Sequence, residues 1–178
     1  MKRIILIAEE GDLIGEKKLI AQHLNGEFSG DSRHWRMCDG SEWEVLVSGV
    51  GALNVIKALQ HLPAQTEVLN IGYAGSSNFA IGSAVKISQA RLNHPNCRYP
   101  EPEMHLDSIP DEWLSQKTIS AVNYSGADFV LQSDYKDCTF DMELAYIAAF
   151  DFAKVYSLKI ISDNLSLHAY REHAAGVE

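Results

Sequence analysis

Apolar runs of strand length alternate along the chain with segments whose apolar residues recur at helical spacing. Residues 3–8, Arg-Ile-Ile-Leu-Ile-Ala, form a nearly continuous apolar run, as in a strand covered on both faces of a parallel sheet. Over 12–24, Leu13, Lys17, Ile20 and Leu24 recur at helical spacing, and Asn25-Gly26 reads as the stop. Strands are expected over 33–37 and 42–47, joined as a hairpin through Asp39-Gly40, a dipeptide that tolerates positive φ. An amphipathic helix follows over 52–62, with Leu53, Ile56, Leu59 and Leu62 on one side. Residues 67–72 read as another buried strand, closed by a glycine turn over 72–77. Further strands are expected over 84–92, 118–123, 128–131 and 158–162. The strongest helical pattern is 141–156, and a last helix is expected over 165–175, with Gly176 near its end. Strands alternating with helices, plus one hairpin, predict an α/β fold. Its expected form is a three-layer α/β/α sandwich on a central mixed β-sheet, one domain over 1–178.

Composition narrows the partners. The 178 residues are 46% hydrophobic and 22% charged, enough for a full core, and carry a net charge of −9. That sign repels phosphate backbones and anionic lipid, so neither nucleic acid nor a membrane is expected as partner. No uncharged apolar run approaches the ~18 residues of a spanning helix, and the glutamates at 9 and 10 interrupt the first apolar run too early for a signal-peptide core. Three cysteines without a CxxC argue against a disulfide framework, and a cytoplasmic protein is expected. The seven histidines show no HxH or HExxH spacing, so no metal and no cofactor is expected; His168 and His173 read as surface residues. Four of the five prolines (Pro95, Pro100, Pro102, Pro110) crowd 93–113, together with Tyr99, Met104, Leu106, Ile109 and Trp113. So apolar a segment is expected at an interface between two copies of the chain.

Candidate chemistry sits where strands end. Gly49-Val50-Gly51 and Gly72-Tyr73-Ala74-Gly75 let backbone approach a ligand closely, and Gly51 precedes a helix N-terminus. As a dinucleotide fingerprint the first turn fails, because Asn54 stands where the third glycine belongs. Asp163 closes the last strand, at the carboxyl end where α/β sheets bind ligands; capping the final helix is its plainer use. Glu143, beside Met142 at a helix start, has two oxygens with which to accept from vicinal hydroxyls, while favouring the helix dipole is the plainer account of it and Asp141. Glu9, Glu10 and Asp12 follow the first strand, where a carboxylate can act as base on a water or simply be solvated.

Taken in order, these segments resemble the purine nucleoside phosphorylase and nucleosidase superfamily, above all the methylthioadenosine/adenosylhomocysteine nucleosidases. The likeness runs through the opening strand and loop, Val47-Ser-Gly-Val-Gly51, Asn70-Ile-Gly-Tyr-Ala-Gly75, Ile81-Gly-Ser-Ala-Val85 and Ser125-Gly-Ala-Asp-Phe129. It ends on Asp141-Met-Glu-Leu-Ala-Tyr-Ile-Ala148 and Ile160-Ile-Ser-Asp163. The resemblance implies that Glu143 holds the ribose hydroxyls, Met142 packs under the sugar, and Asp163 protonates the leaving purine. It also implies that Phe129 stacks on the base, backbone near Val130 reads its edge, and Glu10 or Asp12 orients the attacking water. Gly51, Tyr73 and Gly75 would line the nucleoside site, Tyr73 standing where these enzymes carry a small hydroxyl residue. A homodimer is implied as well, with the proline-rich segment reaching toward the partner's site. Phosphorylases of this superfamily hold phosphate with a glycine–arginine loop after the first strand. Here that loop is Glu9-Glu10-Gly11-Asp12, with no arginine between Arg3 and Arg33, which favours hydrolysis. A non-catalytic nucleoside- or base-binding relative and a phosphate-dependent phosphorylase stay open as alternatives.

Overall fold

A computed structural model describes residues 1–11, 15–92, 103–126 and 137–165. Asp12, Tyr99, Phe129, Val130, the strand expected over 128–131, His168, His173 and all of the final expected helix except Leu165 lie outside the described residues.

Among the described residues, one mixed sheet of ten strands carries the fold, which is α/β as expected. Strand β1 (Arg3–Ile7) lies between β4 (Glu42–Val47) and β5 (Glu67–Gly75), parallel to both. On the far side of β4, the strands β3 (His34–Met37) and β2 (Gly26–Phe28) complete an antiparallel meander. The hairpin turns at Gly40 with φ of 82°, as Asp39-Gly40 suggested; β2 was not anticipated.

The other edge of β5 pairs in parallel with β10 (Lys154–Asp163) along its whole length. From there the sheet curls through β6 (Ala84–Leu92), β8 (Ile119–Ser125) and β9 (Cys138–Asp141). It returns to β5 through the pair Gly75 and Phe140, so that these five strands close a ring. A short strand, β7 (Met104–His105), borders β6.

Alternation along β1 divides the core. Ile5 and Ile7 join Leu19 and Ile20 of helix α1 (Lys17–His23) and Leu24 just after it on one face, with Leu69, Ile71, Trp35 and Trp43. Ile4 and Leu6 meet Val55 and Leu59 of helix α2 (Ala52–Leu59), and Ile147 of helix α3 (Leu144–Ala148), on the other. Among the described residues, no helix is long and apolar enough to cross a membrane.

Two expectations need correction. The helix over 141–156 is not one: Asp141 ends a strand, α3 spans only Leu144–Ala148, and β10 starts at Lys154. Residues 154–156 are claimed by the ladder to Glu67, Val68 and Leu69, which hydrogen-bonds a buried strand more completely than an extended helix would. The glycine turn over 72–77 also begins later, since β5 runs on to Gly75 with β10 pairing Gly72, Tyr73, Ala74 and Gly75. Of the proline-rich segment, the structure describes residues 103–113. There Ile109 and Trp113 are buried, and Trp113 packs edge-on against Trp43 and against Tyr156, both at 5.4 Å. Its indole N–H donates to Asp39 Oδ2 at 2.9 Å, so these two residues belong to the chain's own core.

Candidate active site

Register brings the chemistry together. Lys159 of β10 pairs with Gly72 of β5, and Asp163 pairs with Gly75. Neighbouring residues in a strand point to opposite faces, so Lys159 and Gly72 share one face while Ile160 and Tyr73 share the other. Tyr73 accordingly packs its ring into the core beneath α1. Burial, helped by the nearby Glu16 carboxylate, pushes its phenol up to about 12.

The missing side chain at Gly72 is filled by Glu16. A Cβ on Gly72 would lie 2.7 Å from Glu16 Oε1, so only glycine leaves this space. Glu16 Oε1 accepts from the Tyr73 N–H at 3.2 Å, and Oε2 accepts from Ala8 N–H at 2.5 Å and Glu9 N–H at 3.4 Å. Burial raises its pKa, against the pull of Lys159 and these three amides. This buried carboxylate at the end of β1 was not singled out from sequence.

Glu10, which was, sits elsewhere: exposed, ion-paired to Lys17 at 2.7 Å, on an open depression shared with Arg33 and Glu44. It does not join the cluster, because a solvated lysine satisfies it where it stands. In sequence the acids at 9, 10, 12 and 16 look alike; what separates Glu16 is that the fold sets it against Gly72 of β5.

Glu143 stands at the N-cap position of α3 but makes no side-chain bond to that helix. Its Oε1 accepts the Gly51 N–H at 2.7 Å, so the amide expected to face a ligand is committed to a carboxylate. The turn that delivers it needs glycines, with φ of 87° at Gly49 and 89° at Gly51. Burial, then repulsion from Asp141, pushes Glu143 up to about 7. Met142 lies half-buried between Asp141 and Glu143.

Lys159 is the second residue missed. It is 2% exposed, and its Nζ sits 2.7 Å from Asp141 Oδ2. Burial alone would lower the pKa of this ammonium, but Asp141, Glu143 and Glu16 outweigh it and hold the pKa above the ordinary value. A lone lysine within the apolar run 158–161 was the available signal, since lysines are almost never fully buried unpaired.

Asp163 is buried at the end of β10. Its Oδ2 accepts from Ser162 Oγ at 2.6 Å, its backbone carbonyl accepts the Ser76 N–H at 3.0 Å, and Oδ1 lies against Gly75. A Cβ on Gly75 would stand 2.9 Å from that oxygen.

One consequence of the Glu143 environment is measurable without any ligand. Its folded pKa of about 7 lies above the ordinary 4.5, so the folded state binds this proton more tightly. Its contribution to stability is complete below pH 4.5 and is lost as pH rises through 7. Glu143→Gln is therefore expected to be nearly neutral at pH 4.5 and to stabilise the fold by about 1–3 kcal/mol at pH 8. Urea unfolding at the two pH values checks this; an equal effect at both would refute the raised pKa.

No family model and no curated protein sequence matches the chain. Solved structures do. The nucleosidase (MTAN) from Chlamydia trachomatis superposes with a TM-score of 0.69 at 17% identity, covering 99% of this chain and 91% of its own. The 5'-methylthioadenosine/S-adenosylhomocysteine nucleosidase from Colwellia psychrerythraea, solved with adenine, gives 0.66 at 17% identity, with 98% and 88% covered. That from Helicobacter pylori, bound to butyl-thio-DADMe-Immucillin-A, gives 0.66 at 18%, with 99% and 93% covered. The chain has the fold of these nucleosidases over nearly its whole length, and the resemblance read from the sequence is borne out at the level of fold.

Proposed function

We propose that this protein is a nucleosidase that hydrolyses the N-glycosidic bond of a purine nucleoside or 5'-thionucleoside to free base and sugar. The observation that carries the reading is the pairing of Glu16 and Glu143 around Lys159, on the strand β10 that Asp163 closes, in a fold shared with enzymes of that activity. The three-layer form of the fold, a homodimer and a cytoplasmic setting belong to the same reading.

Cleavage leaves positive charge on the sugar ring and an electron pair on the base. Asp163 gives its proton to a purine ring nitrogen as the C1'–N bond breaks and its electron pair leaves with the base. Glu143 accepts from the ribose hydroxyls, with Met142 beneath the sugar. Its negative charge is worth most against the oxocarbenium-like transition state. Water adds its oxygen to C1' and loses a proton to Glu16. A carboxylate offers about four lone-pair sites, and the three amides on Glu16 leave one for that water. Glu16 thus takes the role that Glu10 or Asp12 held in the sequence reading. Gly75 gives the base room beside Asp163, and Phe129 and Val130 are assigned to the base by resemblance.

Hydrolysis is favoured over phosphorolysis by charge. Glu16, Asp141 and Glu143 surround Lys159, the one cation among them, and it is spent on Asp141. A phosphate dianion meets net repulsion there. The test is incubation with a panel of purine nucleosides and 5'-thionucleosides, with and without phosphate, following free base by chromatography. Base release at a rate independent of phosphate is expected. Release only with phosphate would make the protein a phosphorylase, and none with any nucleoside would leave it a binding relative.

A further inference from the structure

Asp141 lies behind the three carboxylates assigned above, in a position that ties several elements together. Its Oδ1 accepts from Asn123 Nδ2 at 2.8 Å and from Ser125 Oγ at 2.5 Å, both on β8. Its Oδ2 meets Lys159 Nζ of β10 at 2.7 Å and accepts the Leu144 N–H, the first amide of α3, at 3.0 Å. Ser125 Oγ also accepts the Ala145 N–H at 2.9 Å, and Asn123 Oδ1 accepts from Thr139 Oγ1 at 2.7 Å. Every one of these side chains is buried. Two free amides of a five-residue helix are thus held by side chains of the sheet, and only Met142 and Glu143 separate Asp141 from that helix. So short a helix does not hold its own direction.

We propose that Asp141 is a positioning residue, which locks the β9–α3 corner to β8 and β10 and thereby aims the Glu143 carboxylate at Gly51 and the ligand. Lys159 ties the lock to β10 through its ion pair with Asp141, and Ser125 couples it to the second amide of α3. The link from Asp141 to Gly51 is a property of the fold; only the use of Glu143 on sugar hydroxyls rests on the function proposed above.

Gly51 supplies a reporter that needs no substrate. It precedes α2, so its N–H has no acceptor within that helix, and Glu143 is what it donates to. The test uses the full chain carrying Asp141→Asn with Lys159→Met, which removes both charges together and leaves neither buried alone. Amide hydrogen exchange is read by NMR. The Gly51 amide is expected to exchange about tenfold faster or more than in the native protein, the loss of one charge-assisted bond. The amides of Leu69 and Ile160, deep in the sheet, should keep native protection. In parallel, the preference for ribosides over 2'-deoxyribosides should fall by a similar factor. Native protection at Gly51 in the folded variant would overturn the proposal. Lost protection with no riboside preference even in the native protein would uphold the positioning and refute the sugar role of Glu143. If the double variant does not fold, Ser125→Ala, which keeps both charges, carries the same readout with the same criterion.

Discussion

Asp163→Asn is expected to lower nucleoside cleavage by about 10²–10⁴-fold, the usual contribution of a positioned proton donor. The asparagine keeps the size of the side chain and an oxygen for Ser162 Oγ, so the end of β10 and its contact with Gly75 survive. What it removes is the proton for the leaving base. Binding should persist: free base and product sugar are expected to bind with native affinity by calorimetry. The loss should also depend on the leaving group, being smallest for bases that leave well without protonation. A variant that cleaves ordinary purine nucleosides at near-native rate would remove Asp163 from the reaction.

Glu16→Gln against Glu10→Gln is the second large contrast, because the two residues are nearly adjacent in sequence and separated in space. Glu16 is expected to be worth about 10²–10⁴-fold as the base on water, and Glu10, exposed and paired to Lys17, close to nothing. The glutamine can still accept the Ala8 and Glu9 amides through one oxygen, but its NH₂ then faces the Tyr73 amide, so some loss of stability accompanies the loss of rate. Steady-state rates on the preferred nucleoside, read beside urea midpoints, separate the two effects. Equal rates for both variants would return the role to the loop after β1.

Several elements of this molecule are legible from the order of its residues. Residues 3–7 were readable because a strand buried between neighbours is apolar on both faces, and 42–47 because Trp43 and Val45 alternate with glutamates. The hairpin at Gly40 was readable because positive φ is a property of the dipeptide. Asp163, Glu143 and Gly51 were readable as candidates because strand ends and helix starts are punctuated locally. The segment over 141–156 was misread for the opposite reason. Its apolar residues suit either period, and the competition is decided by β5, which lies some seventy residues away and offers β10 a full ladder.

The candidate site divides along the same line. By itself the sequence determined the strand-and-helix alternation, the acidic balance and the family likeness, all of which rest on residue type and near-neighbour spacing. Only the tertiary structure decided which acid after β1 is buried, that Tyr73 turns into the core, and that Lys159 stands among three carboxylates. Those outcomes depend on strand register, where a shift of one residue exchanges the faces of every side chain. Register is a relation between distant segments, and no local pattern carries it.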